Sequence, residues 1–142
     1  LRLSIVLPLL FSGSNIAGST VEGDLDSETI GIKYAFGDFT LGYQWSEEDL
    51  GRSASEQAYE NVGYGITFQV NDDLSLGYNN YESEQSNIGG AAVTAEASSF
   101  QVAYTMGGAS IRLAEASVND AKYQTGAAYD RDATTLSVSL AF

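Results

Sequence analysis

Two basic residues, Lys33 and Arg112, are the sharpest chemical signals in this chain. Each lies in a stretch where large apolar residues alternate with small or polar ones, and each takes a small-polar position. Arg2 does the same more weakly. Cations held at fixed positions on a wall facing water impose a transverse field on solutes that pass it. The other reading is a wall residue paired with a loop carboxylate. Acidic residues cluster at Glu22, Asp24 and Asp26, at Glu47-Glu48-Asp49, and at Asp130-Arg131-Asp132. Such oxygen-rich groups can hold Ca²⁺ or Mg²⁺, but none has the spacing of a dedicated calcium loop. Asp24-Leu25-Asp26 begins like one, yet Thr29 stands where the turn needs glycine. A solvated acidic surface that resists aggregation is the simpler reading. No metal ion and no cofactor is assigned.

The residue inventory excludes much else. There is no His and no Cys, so Ser–His and Cys nucleophile arrangements are ruled out and no enzyme activity is expected. With Lys and Arg numbering 6 against 19 Asp and Glu, the formal net charge is −13. Nucleic acid, whose phosphates require cations, is not an expected partner. Gly63-Tyr64-Gly65 lies inside an alternating run rather than between a strand and a helix, so it is not a phosphate loop. Glycines there let a wall be thin or let another segment approach.

The elements that position these residues follow from period-2 alternation, which predicts strands with one apolar and one polar face. Eight segments carry it: about 1–10, 28–36, 38–46, 60–70, 73–82, 97–106, 109–117 and 133–142. The first also admits a signal-peptide remnant, with Arg2 ahead of an apolar stretch broken by Pro8. Gly37-Asp38, Asn71-Asp72-Asp73 and Gly107-Gly108 predict tight hairpins, where Asp38 and Asp72 serve turn geometry. Between them lie polar stretches at about 11–27, 47–59, 83–96 and 118–132. Short and long connections alternate as in a transmembrane β-barrel. An even strand count returns both ends to one side, which favours reading 1–10 as a strand. No run approaches a transmembrane helix in length, and the mean hydropathy of −0.10 is what two cancelling faces produce.

On the apolar side, Glu28, Glu60, Glu82 and Glu115 fall only at the long-loop ends. The opposite side carries Lys33, Gln44, Gln69, Gln101 and Arg112 among Gly, Ala, Ser and Thr; these five are the candidate lining of a pore. Aromatic residues sort by height. Tyr34, Phe36, Phe39, Phe68, Tyr104 and Phe142 gather near the tight turns, and Tyr43, Trp45, Tyr64, Tyr78 and Phe100 toward the long loops. That is the pattern of two interfacial girdles.

Three stretches carry a resemblance: Tyr64 to Tyr78, with Asn71-Asp72-Asp73-Leu74-Ser75-Leu76-Gly77-Tyr78 at its heart; Ala103 to Ile111, with Met106-Gly107-Gly108-Ala109-Ser110-Ile111; and the closing Leu136 to Phe142. They resemble the C-terminal half of Gram-negative general porins, the alphaproteobacterial type above all, over about residues 28–142. The resemblance implies an outer-membrane location, contact with lipid and lipopolysaccharide, and passive diffusion of small hydrophilic solutes and ions. It also implies a homotrimer of sixteen-stranded barrels, and recognition of the terminal aromatic Phe142 by the barrel-assembly machinery.

The expected fold is thus all-β: an antiparallel up-and-down transmembrane β-barrel with about eight strands in a single β-barrel domain, 1–142. These are either half of a sixteen-stranded porin or a closed eight-stranded barrel acting as an anchor or adhesin through its external loops. Small residues on the polar side fill a narrow barrel poorly and suit a wide lumen. A soluble carrier with its apolar face turned inward would present a surface too poor in charge.

Overall fold

The computed structural model describes residues 2–4, 25–52 and 56–140. They form one antiparallel sheet in which every strand pairs with its successor. The strands are β1 (Arg2–Ser4), β2 (Asp26–Phe36), β3 (Phe39–Asp49), β4 (Glu56–Gln69), β5 (Leu74–Asn87), β6 (Val93–Met106), β7 (Ala109–Asn119) and β8 (Arg131–Leu140). This is the up-and-down order expected. Over the described residues the sheet is open: β8 pairs with β7 alone, and β1 with β2 alone. The remainder of the expected first strand, Phe142, Glu22 and Asp24 lie outside the described residues.

The tight turns fall where they were predicted, and glycines together with Asn71, rather than the side chains of Asp38 and Asp72, supply their geometry. Gly37 and Gly107 adopt left-handed φ angles of 54° and 56°, a conformation glycine enters without a Cβ clash. Between β4 and β5 the Asn71 side-chain oxygen accepts from the backbone N–H groups of Asp73 and Leu74, both at 2.9 Å. This is an Asx turn, in which a side chain replaces a backbone acceptor.

Two of the expected long loops are shorter than their sequence suggests. Strand β3 runs on to Asp49 and β4 starts at Glu56; β5 continues to Asn87 and β6 starts at Val93. Apolar alternation marks only part of each of these strands. Beyond it the ladder continues between polar residues: Gln85 Nε2 donates to Tyr59 Oη at 2.8 Å, and Asn61 Nδ2 to Ser46 Oγ at 3.3 Å. Their pairing leaves no hydropathy signal. The β7–β8 connection contains two short 3₁₀ turns, Ala121–Tyr123 and Ala127–Tyr129.

The sheet has no hydrophobic core. Among the described residues no apolar side chain is buried, and Ser83 alone is, at 5% exposure. The chain's accessible surface is 9738 Å², whereas a compact globular chain of this mass would expose about 7,100 Å². Register nevertheless aligns the apolar residues from strand to strand. Phe36 faces Phe39, then the row passes through Phe68, Leu76, Val102 and Leu113 to Leu136. Phe39 and Phe68 stack with ring centroids 4.5 Å apart.

That row crosses the apolar band diagonally. On β2 it starts at Phe36, the last apolar residue before the turn; on β8 it ends at Leu136, the apolar residue farthest from the tight-turn end. The residue highest in the band on β2, Ile30, is in register through Trp45 and Val62 with Glu82 and Glu96, beyond the band on β5 and β6. The band therefore drifts by roughly four to six residues, ~13–20 Å, over six inter-strand spacings totalling ~29 Å. The strands lean about 25–35° from the normal to the band, near the tilt of transmembrane barrels.

Candidate functional site: the polar face

The face opposite the apolar band carries the sheet's hollows. The larger, of about 780 Å³, spans β2 to β6 and is lined by Lys33, Gln44, Asn79, Tyr81 and Gln101, by glycines and threonines between them, and by the alternate positions Ile32, Leu41, Tyr43, Tyr64, Ile66, Tyr78 and Asn80. Its floor is backbone, because Gly31, Gly42, Gly63, Gly65 and Gly77 project nothing into it. Register explains the grouping. Gln44 lies between Gly31 and Gly63, and Lys33 faces Gly42, which faces Gly65. Each long side chain is flanked by residues that leave it room. At Gly65 the fit is close: a Cβ would sit 3.3 Å from the Tyr78 carbonyl oxygen, whereas at Gly42 it would meet nothing within 4 Å.

The five candidate lining residues do not act as one group. Lys33, Gln44 and Gln101 line the hollow. Arg112 is on β7 opposite Ala103 and Ser137, five strand spacings and so about 24 Å from the strand of Lys33. Both cations are exposed, and among the described residues neither forms an ion pair. Gln69 holds a turn, its Nε2 donating to the Asn71 carbonyl at 2.6 Å. Arg2 pairs with Ala35 at the β1 edge.

A second hollow, of about 310 Å³, is formed where the β7–β8 loop folds back over the polar face. Tyr123 reaches across β6 to β5, where its hydroxyl lies 2.7 Å from Ser83 Oγ. Ser83 also lies 2.6 Å from Asn61 Oδ1, which accepts from Tyr81 Oη at 2.8 Å. The Tyr123 ring rests against Tyr59 with centroids 5.3 Å apart. Sequence reading missed this cluster because, although Asn61 and Tyr81 fell inside the expected strands 60–70 and 73–82, Tyr59 and Ser83 were left in polar stretches and Tyr123 in an outward loop. The available signal was parity: Asn61, Tyr81 and Ser83 all fall on the polar side of their strands.

The acidic runs do not converge. Glu47 and Asp49 alternate to one face and Glu48 to the other. Asp130 and Asp120 tie their own loop, accepting from the N–H groups of Asp120 and Gly126, each at 3.2 Å. Among the described residues no three His, Cys, Asp or Glu side chains group to hold a metal ion. On the apolar side, register lines up Glu28, Glu47, Glu60 and Glu84 directly across β2 to β5. Trp45, one step inside that row, donates its indole N–H to Glu60 at 3.1 Å. Of the other aromatics, Tyr43 faces Tyr64, Tyr78 faces Phe100, Tyr34 faces Leu41, and Tyr104 lies between Leu74 and Ile111.

Compared with known proteins, the chain matches no family model, no curated protein and no solved structure. Among the described residues no helix is long and apolar enough to cross a membrane, which says nothing of a crossing by strands.

Proposed function

We propose that this sheet is the wall of an outer-membrane porin, through which small hydrophilic solutes and ions diffuse passively. One observation carries the reading: the apolar residues form a continuous tilted band on which, among the described residues, no protein is packed, while the hollows lie on the polar side. A soluble carrier needs the reverse arrangement, with its ligand cavity on the apolar side. Lipid is the partner that satisfies such a band, and lipopolysaccharide borders the acidic row above it. Water fills the polar side and spares solutes the cost of entering hydrocarbon.

In lipid the free edges of β1 and β8 must be paired, to each other or to further strands, because each unmet backbone group there costs several kcal/mol. A homotrimer follows if the barrel is of general-porin size. The competing reading is a closed eight-stranded barrel that does not conduct and acts through its outer loops. The small residues that floor the larger hollow favour the wide lumen over the filled one.

The test is solute flux. Protein expressed from its full gene and reconstituted in liposomes should release small sugars and retain dextrans. Tight liposomes, together with an intact mass near 15.1 kDa for the membrane-extracted protein, would replace the porin reading with the non-conducting one.

A further inference from the structure

The two faces differ in charge as sharply as in hydropathy. Along the strand positions in continuous register with the apolar band, acidic residues alternate to the apolar side. Glu28, Glu47, Glu60 and Glu84 form one row there, with Glu82 opposite Glu96. Among the described residues of those strands, Glu48 is the acid that shares the polar side, whereas Lys33, Arg112 and Arg131 all face that way. A chain with net charge −13 therefore places its strand-borne cations on the polar side, Lys33 lining the larger hollow.

The β7–β8 loop brings one more cation, Lys122, while its acids Asp120 and Asp130 are turned onto backbone N–H groups of the loop itself. Asp120, Lys122 and Tyr123 hold left-handed φ angles of 51°, 63° and 56°, a region that costs non-glycine residues about 1–3 kcal/mol each. The contacts that offset this strain are specific: the Tyr123 hydroxyl on buried Ser83, its ring on Tyr59, and the Asp120 carboxylate on Gly126. Ala95 and Ala97 lie beneath the loop on β6, small enough to let it lie close. The result is a strap across the polar face, with Lys122 and Glu96 as the charged residues that line the second hollow, Glu96 from a position that alternates to the apolar side.

We infer that this lumen selects for small anions, through Lys33, Arg112 and a Lys122 that the Tyr123 strap brings onto the polar face. The inference rests on the porin reading and names its solute class. Cations lining one side of a water-filled cleft with low-dielectric walls focus their field into it and raise the local anion concentration. The acidic row stands on the far side of the wall, in contact with headgroups and salt that screen it within about 10 Å.

The experiment is the reversal potential of the protein, expressed from its full gene, in planar bilayers under a potassium chloride gradient. Chloride should permeate in preference to potassium. Lys122→Gln should lower that preference by roughly two- to fivefold, and Tyr123→Phe, which frees the strap but keeps every charge, should lower it in the same direction. Glu47→Gln, on the outer side, should leave it unchanged. A conducting pore that prefers potassium, or one indifferent to both Lys122→Gln and Tyr123→Phe, overturns the inference and leaves the porin reading standing. A folded protein that never conducts overturns both.

Discussion

Tyr123 and Gly65 show how single residues shape this sheet, one by a side chain and the other by lacking one. The Tyr123 hydroxyl partners the one buried residue of the described sheet, Ser83. Replacing Tyr123 with Phe removes one hydrogen bond, worth about 1 kcal/mol net, and releases a loop already held in unfavourable dihedral angles. Tryptic cleavage after Lys122 should therefore be several-fold faster in Tyr123→Phe than in the parent, with the rest of the sheet still protected; equal rates would show that the hydroxyl does not hold the strap. Gly65 and its cross-strand partner Gly42 form a matched pair. Gly42→Ala meets open space and should be neutral or stabilising by a few tenths of a kcal/mol. Gly65→Ala presses on the Tyr78 carbonyl and should cost about 1 kcal/mol in a urea titration.

At the scale of the strand, parity decides the cost of a charge. Ile66 and Thr67 are neighbours on β4 that point to opposite faces. Ile66→Lys should destabilise the folded protein in bilayers by about 2–4 kcal/mol, and Thr67→Lys by much less; similar costs would remove lipid from the apolar side. The acidic row sets a second test. Glu47 stands directly between Glu28 and Glu60, and like charges opposite one another are destabilising by about 0.2–1 kcal/mol. Glu47→Gln should stabilise the sheet by that amount at low salt, with the gain fading in 1 M salt as screening shortens to about 3 Å. Strand order, turns and faces were legible in the sequence because alternation and glycine placement are local signals. The far ends of β4 to β6, residues 56–59, 83–87 and 93–96, were not, since polar residues such as Gln85, which donates to Tyr59, pair without a hydropathy pattern. The strap was hidden for a different reason: Tyr123 and Ser83 lie 40 residues apart, and nothing local in either segment announces their contact.

For the whole molecule, the dimensions of the apolar band are the constraint. From Ile30 to Phe36 on β2 it extends about 20 Å along the strand, and less along the normal to the band once the strands lean. That is shorter than the ~25 Å typical of outer-membrane barrels. Folding yield and thermal stability should be higher in bilayers of short-chain lipids than in eighteen-carbon ones, because each ångström of mismatch carries a fraction of a kcal/mol; indifference to chain length would place the band elsewhere. The steady drift of this band across the sheet has a further consequence. Every hairpin advances it by a similar small step, so each hairpin meets its neighbour on the same terms as the next. A hairpin copied or lost by recombination would still join its neighbours with greasy and wet sides matched. The sheet is thus built of interchangeable staves, and its width is a quantity that gene duplication can adjust two strands at a time.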